Sequence, residues 1–545
     1  MLVYYVCGMN NNPIYLIILL ITLFGCAGPK DKDTAVEKRD TTINKTNSFS
    51  ELFLDSSTIE NYIQSNKFPD TLADQFRNFY NSRNYQFAWF FNDGPTEQAF
   101  HFLNLQNDYI GYSRDSSLYN ATLEKLIDTV SIDFQAPPLK GAERTNTELA
   151  LTYQFFRYAD KAYQGDDKLN AKDLKWFIPR KKVNVVAALD SLIKFKGGQE
   201  QVYEPVNPNY YRLRDALIKY YGIQKSGAWT TIKTDKKKFE KGDKSPVVAD
   251  IKRNLIITGD YSGDTTELFD DSLFAGVKRF QFRYGMKEDG VVGPGMLREM
   301  NQPIEKRIRQ MLINLERLRW VPAETPPDYI LVNIPQFKLH AYDKGKLAFS
   351  MNVVVGSTQH STVIFNGDLK YIVFSPYWNV PPSIVKNEIM PGISRNKNYI
   401  ASHNMEITGY SGTMPNVRQK PGRNNSLGKV KFLFPNEYNI YLHDTPAKSL
   451  FGETSRAFSH GCIRLGEPKK MAEFLLRNDS TWTSQKIEDA MNNGKERYLT
   501  LPNAVPVFLC YFTAWIDSNG LLNFRDDVYG HDAKMSQKMF VDAKK

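Results

Sequence analysis

The stretch "FKLHAYDKGKLAFSMNVVVG" (337–356) decides the fold class of the last third of the chain. Residues 337–343 alternate apolar and polar side chains, the period of a strand with one face in a core. Residues 347–356 read as its partner, and Asp343-Lys344-Gly345-Lys346 reads as the turn between them. Working outward, "YILVNIP" (329–335) precedes this pair as a third strand. "YIVFSPYW" (371–378), "NIYLHD" (439–444) and "PVFLCYFTAWID" (506–517) are further strands downstream. Residues 328–520 are therefore read as one β-rich domain, followed by a C-terminal tail at 521–545.

Upstream of residue 328 the period changes. Residues 51–225 read as a mostly helical scaffold domain. Thr145-x-x-Glu148 looks like a capping box, opening a helix with Leu149, Tyr153, Phe156 and Tyr163 at helical spacing. Val185, Leu189 and Leu192 mark another helix, closed by Gly197-Gly198. Residues 226–246, with "KTDKKKFEKGDK", read as a basic linker. Residues 247–301 form a small unit of three helices. Residues 302–327 read as a linker helix with Ile308, Leu312 and Leu315 along one face. The fold class is multidomain α+β.

The bulk numbers agree with several domains. A chain of 545 residues accommodates roughly three or four at about 150 residues each. A hydrophobic content of 42% is enough to build their cores. A net charge of +10 suits a polyanionic partner. Nucleic acid is one such partner and a carboxylate-rich wall polymer another; the sequence has no regular basic stripe and no nucleic-acid motif, so nucleic acid is set aside. Four cysteines without C-x-x-C spacing exclude a disulfide-built protein. Two of them, Cys7 and Cys26, lie in or beside the apolar run Ile14–Phe24. That run is too short to span a bilayer but fits a signal-peptide core. "LFGC" resembles a bacterial lipobox, which implies a signal peptide at 1–25 and a lipid on Cys26. Phe24 is large for its slot, and no Lys or Arg precedes Cys26. An uncleaved anchor or a secreted soluble form are the alternatives. Residues 26–50 are polar and charged, and read as a disordered tether.

The chemistry is concentrated in "SHGCIRL" (459–465). A thiol with a pKa near ~8.5 needs a base or a positive field to act as a nucleophile at neutral pH. His443 stands at the end of the candidate strand 439–444. Gly461 permits a tight turn, and Arg464 can grip a carboxylate. Taken alone, these residues leave other readings open. His443, His460 and Cys462 could ligate zinc, without a fourth ligand, or Cys462 could be a small buried hydrophobe. Cys510, in an apolar strand, reads as core. His101, His340, His360, His403 and His531 read as structural.

His443 followed by "SHGC" resembles the signature of the L,D-transpeptidase (YkuD-type) family. "IPQFKLHAY", "MNVVVG", "SPYWNVPPSIVKNEIMP", "PGRNNSLGKVKFLFPN", "YLHDTP" and "YFTAWID" look like further blocks of its larger branch. That branch carries a helical scaffold and a peptidoglycan-binding module. "VKRFQFRYGMKEDGVVGPGML" resembles such a module, with Phe280-Gln281, Asp289-Gly290 and Gly293 at matching places. "STVIF" (361–365) departs from the usual pattern by placing Val363 in a proline slot.

The resemblance implies a cell-wall enzyme sensitive to carbapenems. Cys462 attacks a donor stem tetrapeptide, D-Ala leaves, and a thioester forms. The diamino-acid amine of a second stem then makes a 3→3 cross-link. His443 is the proton donor and acceptor, His460 and Gly461 shape the oxyanion site, and Arg464 positions substrate or loop. Segment 377–437 suggests a lid, with Tyr377, Trp378 and Asn379 lining the cleft and Ser459 also facing substrate. Asn425 and Gly428 serve loop geometry. No metal or organic cofactor is required, protein partners are not readable, and the expected location is the periplasmic face of a bacterial envelope. Two other functions stay open: an L,D-carboxypeptidase that trims tetrapeptides, and a non-catalytic lipoprotein that anchors membrane to wall.

Overall fold

The computed structural model describes residues 36–125, 139–166, 168–194 and 204–540. The chain divides into two compact units, Met1–Asn92 and Asp93–Lys545. In the first, helix α1 (Ser56–Ser65) is capped by the Asp55 carboxylate, and α2 (Asp70–Asn81) buries Phe76, Phe79 and Tyr80. The expected tether at 26–50 falls partly among the described residues. Its described part, 36–50, is pinned: the Asp40 N–H donates to Asn81 O at 2.9 Å and the Ser50 hydroxyl to Phe90 O at 2.8 Å. Asn78 also accepts from the Glu37 N–H at 2.7 Å, so asparagines on α2 hold a segment whose composition alone reads as disordered. The signal segment and Cys26 lie outside the described residues.

In the second unit, α3 (Glu97–Ser113), α4 (Gly141–Ala159), α5 (Val185–Lys194) and α6 (Pro208–Ser226) form the scaffold. Helix α4 starts one turn before the expected capping box, so Thr145 is interior. The neighbouring Thr147 hydroxyl bonds back to Glu143 O at 2.8 Å, as a mid-helix threonine does. Gly197-Gly198 lie outside the described residues.

The peptidoglycan-binding-like module comprises α7 (Pro246–Thr258), α8 (Asp271–Arg283) and α9 (Pro294–Met300). Gln281 ties its turn together, donating to Asp289 at 2.8 Å and accepting from the Gly290 N–H at 2.8 Å. The stretch 226–246 is sewn to this module rather than free. Phe239 is buried and exchanges backbone hydrogen bonds with Val292, and the Ile232 N–H reaches Asn301 at 2.8 Å.

The expected linker helix is instead the most buried helix of the unit, α10 (Ile304–Trp320). Four of its charged positions are interior and paired: Arg307 with Glu299, Arg317 with Asp532, and Arg319 with Glu316. Such groups tolerate burial only when paired and hydrogen-bonded. Asp532 comes from the C-terminal helix His531–Met539, which packs on α10, so 521–540 is an integral part of the fold and not a tail.

The β-rich domain is built on nine strands: β1 (Tyr329–Asn333), β2 (Lys338–Asp343), β3 (Lys346–Gly356), β4 (Asn366–Phe374), β8 (Val430–Leu433), β9 (Leu442–His443), β10 (Ala457–Ser459), β11 (Ile463–Leu465) and β12 (Arg497–Cys510). Their order is β10-β3-β11-β9-β8-β4-β12-β1-β2, and β2 also pairs with β3, which curls the sheet back on itself. The turn between β2 and β3 places Lys344 and Gly345 at φ 51° and 76°, as a two-residue hairpin turn requires. The lid is a folded insert carrying its own sheet, β5 (Trp378–Asn379), β6 (Met405–Ser411) and β7 (Met414–Gln419), over a small core of Val380, Ile384, Val385, Ile389, Met405 and Val417. Because β8 belongs to the main sheet, the lid ends before residue 430 rather than at 437. Asn425, as expected, fixes the return, donating to Pro376 O at 3.1 Å and Lys420 O at 3.0 Å.

Candidate active site

Strands β9 and β11 run parallel, with Leu442 beside Ile463 and His443 beside Arg464. The Ile463 N–H donates to Tyr441 O at 3.1 Å, so the register continues backward to put Tyr441 beside Cys462. Side chains alternate along a strand, so Tyr441, His443, Cys462 and Arg464 project from one face, with His443 and Cys462 as diagonal neighbours. The rings of Tyr441 and His443 lie 5.7 Å apart on this face.

His443 is buried, and its Nδ1 lies 2.5 Å from the Asp444 carbonyl oxygen. A carbonyl only accepts, so Nδ1 carries the proton and Nε2 keeps its lone pair. Burial, and after it the Arg464 guanidinium, push the imidazole pKa down to about 4. Burial pushes the Cys462 thiol up, against the opposing pull of the Tyr441 N–H, the Tyr441 hydroxyl and Arg464. At neutral pH the resting pair is thus a neutral thiol beside a neutral imidazole. Arg464 is half-buried, and its buried Nε has no hydrogen-bond partner among the described residues.

The loop that carries Cys462 is locked from below. Gly461 sits at φ 112°, a conformation that favours glycine. The Thr362 hydroxyl donates to Gly461 O at 2.8 Å and accepts from the Gly356 N–H at 2.9 Å. The Tyr529 hydroxyl donates to Gly356 O at 2.6 Å and accepts from the Thr362 N–H at 3.3 Å. At Gly356 the chains approach so closely that an added Cβ would stand 2.1 Å from His360 O. Thr362 fixes this segment, which is how it dispenses with the proline that Val363 replaces.

Several expected roles change. Ser459 is buried, donating to Cys462 O at 2.6 Å and accepting from the Gly461 N–H at 3.1 Å, so it ties the loop instead of facing substrate. With the Gly461 N–H occupied, the Cys462 N–H is the backbone donor left for an oxyanion. His460 lies on the exposed side, its Nε2 3.5 Å from Glu388 of the lid and its ring 4.9 Å from that of His360, which therefore borders the site. Trp378 packs on the lid's own core, Tyr377 lies 4.1 Å beneath the Arg418 guanidinium, and Asn379 pairs with Arg418 in the lid sheet. Cys510 is buried core, its thiol pushed up to about 12 by burial.

Residues 327–487, which hold His443, Cys462, Arg464 and the lid, match the family model "L,D-transpeptidase catalytic domain" (YkuD). This segment is similar to the catalytic domain of the YkuD-type L,D-transpeptidase family. Ahead of the L,D-transpeptidase domain, residues 74–217 match "Scaffold domain" and 244–300 match "Putative peptidoglycan binding domain". The chain is 32% identical over 252 residues to a Haemophilus influenzae protein named "Putative L,D-transpeptidase", a match covering 43% of this chain and 50% of that protein. The chain thus spans about half the length of that curated relative. Solved structures give weaker likenesses. An L,D-transpeptidase from Stackebrandtia nassauensis is 15% identical with a TM-score of 0.21, covering 51% of this chain and 97% of that one. One from Mycobacterium smegmatis is 12% identical with a TM-score of 0.19, covering 34% and 58%. Scores this low position no residue.

Within the L,D-transpeptidase domain, Tyr441 was missed by sequence reasoning, although it stands two residues before His443 in the same strand. Thr362 and Tyr529 carry no local signal, because their partners are distant in sequence. Glu388 of the lid was also missed; it faces His460 across the cleft rim.

Proposed function

We propose that this protein is a peptidoglycan L,D-transpeptidase that forms 3→3 cross-links through a thioester on Cys462. The observation that carries this reading is His443, neutral and with Nε2 free, on the same face as the thiol. As Sγ attacks the donor carbonyl, its proton passes to His443 Nε2. The imidazolium then gives that proton to the departing D-Ala amine as the C–N bond breaks, leaving the thioester. The amine of a second stem attacks the thioester, loses a proton to His443, and the thiol is regenerated. The Cys462 N–H faces the developing oxyanion. Arg464, with a buried nitrogen left unpaired, meets a substrate carboxylate and favours the thiolate as it forms.

The same reading places the body at the bacterial envelope on a lipid-bearing Cys26; globomycin-sensitive processing and an acyl mass on the mature N-terminus are the expected results. The transpeptidase itself is tested by incubating purified protein with donor tetrapeptide and an acceptor stem. A dimer mass supports it, whereas release of D-Ala with tripeptide alone makes the enzyme a carboxypeptidase. A carbapenem adduct on Cys462, absent in Cys462→Ala, separates either enzyme from a non-catalytic wall anchor.

A further inference from the structure

Between the peptidoglycan-binding-like module and the catalytic domain runs a groove of about 550 Å³. Besides the exposed Lys287 of the module, three less exposed cations line it: Lys338 of β2, Arg456 just before β10, and Arg525 just after the strand Leu522–Phe524. Their bonding is unusual. Arg456 is buried and donates to Val353 O at 3.2 Å, Glu453 O at 2.6 Å, Phe337 O at 3.0 Å and the Asn352 side chain at 3.5 Å. Arg525 donates to Arg283 O at 2.6 Å, Phe524 O at 2.7 Å and Phe282 O at 3.3 Å. These carbonyls satisfy the N–H groups but carry no compensating charge. Lys338 is half-buried beside them and, among the described residues, has no hydrogen bond or ion pair. Burial pushes its ammonium pKa down, and Arg456 and Arg525 push it further, with only Glu288 opposing. The groove's carboxylates, Glu288, Glu453 and Asp526, are all exposed. Like charges held together in a partly dry floor favour a counter-ion from outside.

We infer that this groove binds a carboxylate of a second peptidoglycan stem, held between module and catalytic domain while its neighbour reacts at Cys462. The inference rests on the cell-wall reading above. Asn352 lines the groove, and Gly356, under the catalytic loop, lies four residues along the same strand. At about 3.3 Å per residue that is about 13 Å, the span of an extended peptide of about four residues. Phe282 of the module stands exposed at the groove and gives the stem an apolar wall. Arg456 and Arg525 also tie backbone together; Lys338 does not, and so it is the residue that distinguishes a ligand site from a structural one.

The test measures binding of a disaccharide-tetrapeptide, with its carboxylates free or amidated, to the full-length Cys462→Ala protein. The free form is expected to bind about tenfold tighter, the effect of one charge-assisted hydrogen bond. Lys338→Met is expected to shrink that preference to under about twofold, and Lys338→Arg to restore it. Equal binding of the two forms overturns the inference. So does a preference that survives Lys338→Met, which would belong to Arg464. Should Lys338→Met fail to fold, carbodiimide coupling of the free probe to the unsubstituted lysine gives the same answer. An amide-linked Lys338 peptide is expected by mass, and its absence overturns the inference. A carbapenem adduct without carboxylate preference defeats this inference alone. A carboxylate preference without any adduct or dimer defeats the transpeptidase reading alone.

Discussion

The floor under Cys462 and the lid above it meet the same short motif, yet they hold it differently. The floor is a relay of hydrogen bonds, partly buried from Tyr529 to Gly356 and Thr362 and fully buried from Thr362 to Gly461. The lid has its own core and faces the motif with an exposed pair, Glu388 and His460 at 3.5 Å. Buried bonds of this kind are costly to leave unmade, whereas an exposed ion pair contributes about 0–1 kcal/mol. The nucleophile is therefore fixed from below, while access to it from above is adjustable. A reaction with two successive substrates needs both: unchanged geometry at sulfur, and an opening that lets one stem leave and another enter.

The largest effects belong to the face that the floor positions. Cys462→Ala is expected to abolish dimer formation and carbapenem labelling, read by mass spectrometry. His443→Ala is expected to lower turnover by about four orders of magnitude, at the upper end of what general acid–base catalysis contributes. Next come the floor residues. Thr362→Val strands Gly461 O and the Gly356 N–H in the interior, and is expected to cost about 1–3 kcal/mol in urea unfolding. Turnover should fall as well, with KM for the donor nearly unchanged, because the oxyanion donor beside Cys462 shifts. A Thr362→Val enzyme with full turnover would show that the relay is structural only and would erase the contrast with the lid.

How much of this was legible depended on the length scale of the signal. The roles of His443, Cys462 and Arg464 were legible because His443 and "SHGC" carry the resemblance to the family signature; their local chemistry alone left zinc binding and a buried thiol open. The β2–β3 hairpin was legible because its alternation and turn residues are local signals. Helix α10 was misread because Arg317 and Arg319 look like a solvent face in one dimension. Their partners, Asp532 and Glu316, become visible only once the chain has folded. Tyr529 was assigned to a tail, since nothing near it in sequence reveals that its hydroxyl reaches the strand end at Gly356. Ser459 was legible as a motif residue but not as a loop tie, because direction around Gly461 depends on a backbone conformation that sequence leaves open.

The pH dependence separates the two regions further. His443 must be neutral to accept the thiol proton, and its pKa is held down to about 4. The neutral form is present above that value, so kcat/KM should hold through mildly acidic pH and fall as pH drops through about 4. Arg464 is one cause of the depression, so Arg464→Met is expected to move the acid limb upward while also weakening donor binding. A limb that stays near 4 in Arg464→Met would leave burial, with Lys431, as the cause.

The smallest expected effect tests the lid. Glu388→Gln keeps the shape and removes the charge that faces His460, and both side chains are about half exposed, at 54% and 49%. Turnover is expected to stay within about twofold, with a change in KM of less than about fivefold, the range of an exposed ion pair. Where His460 is protonated, raising salt should diminish the difference from the parent protein, because an exposed charge pair is screened within about 10 Å at 0.1 M ionic strength. Thr362→Val should show no such salt response, since its lost bonds are buried. If Glu388→Gln instead lowered turnover as far as Thr362→Val, independently of salt, the lid would be part of the catalytic geometry and not a gate over it.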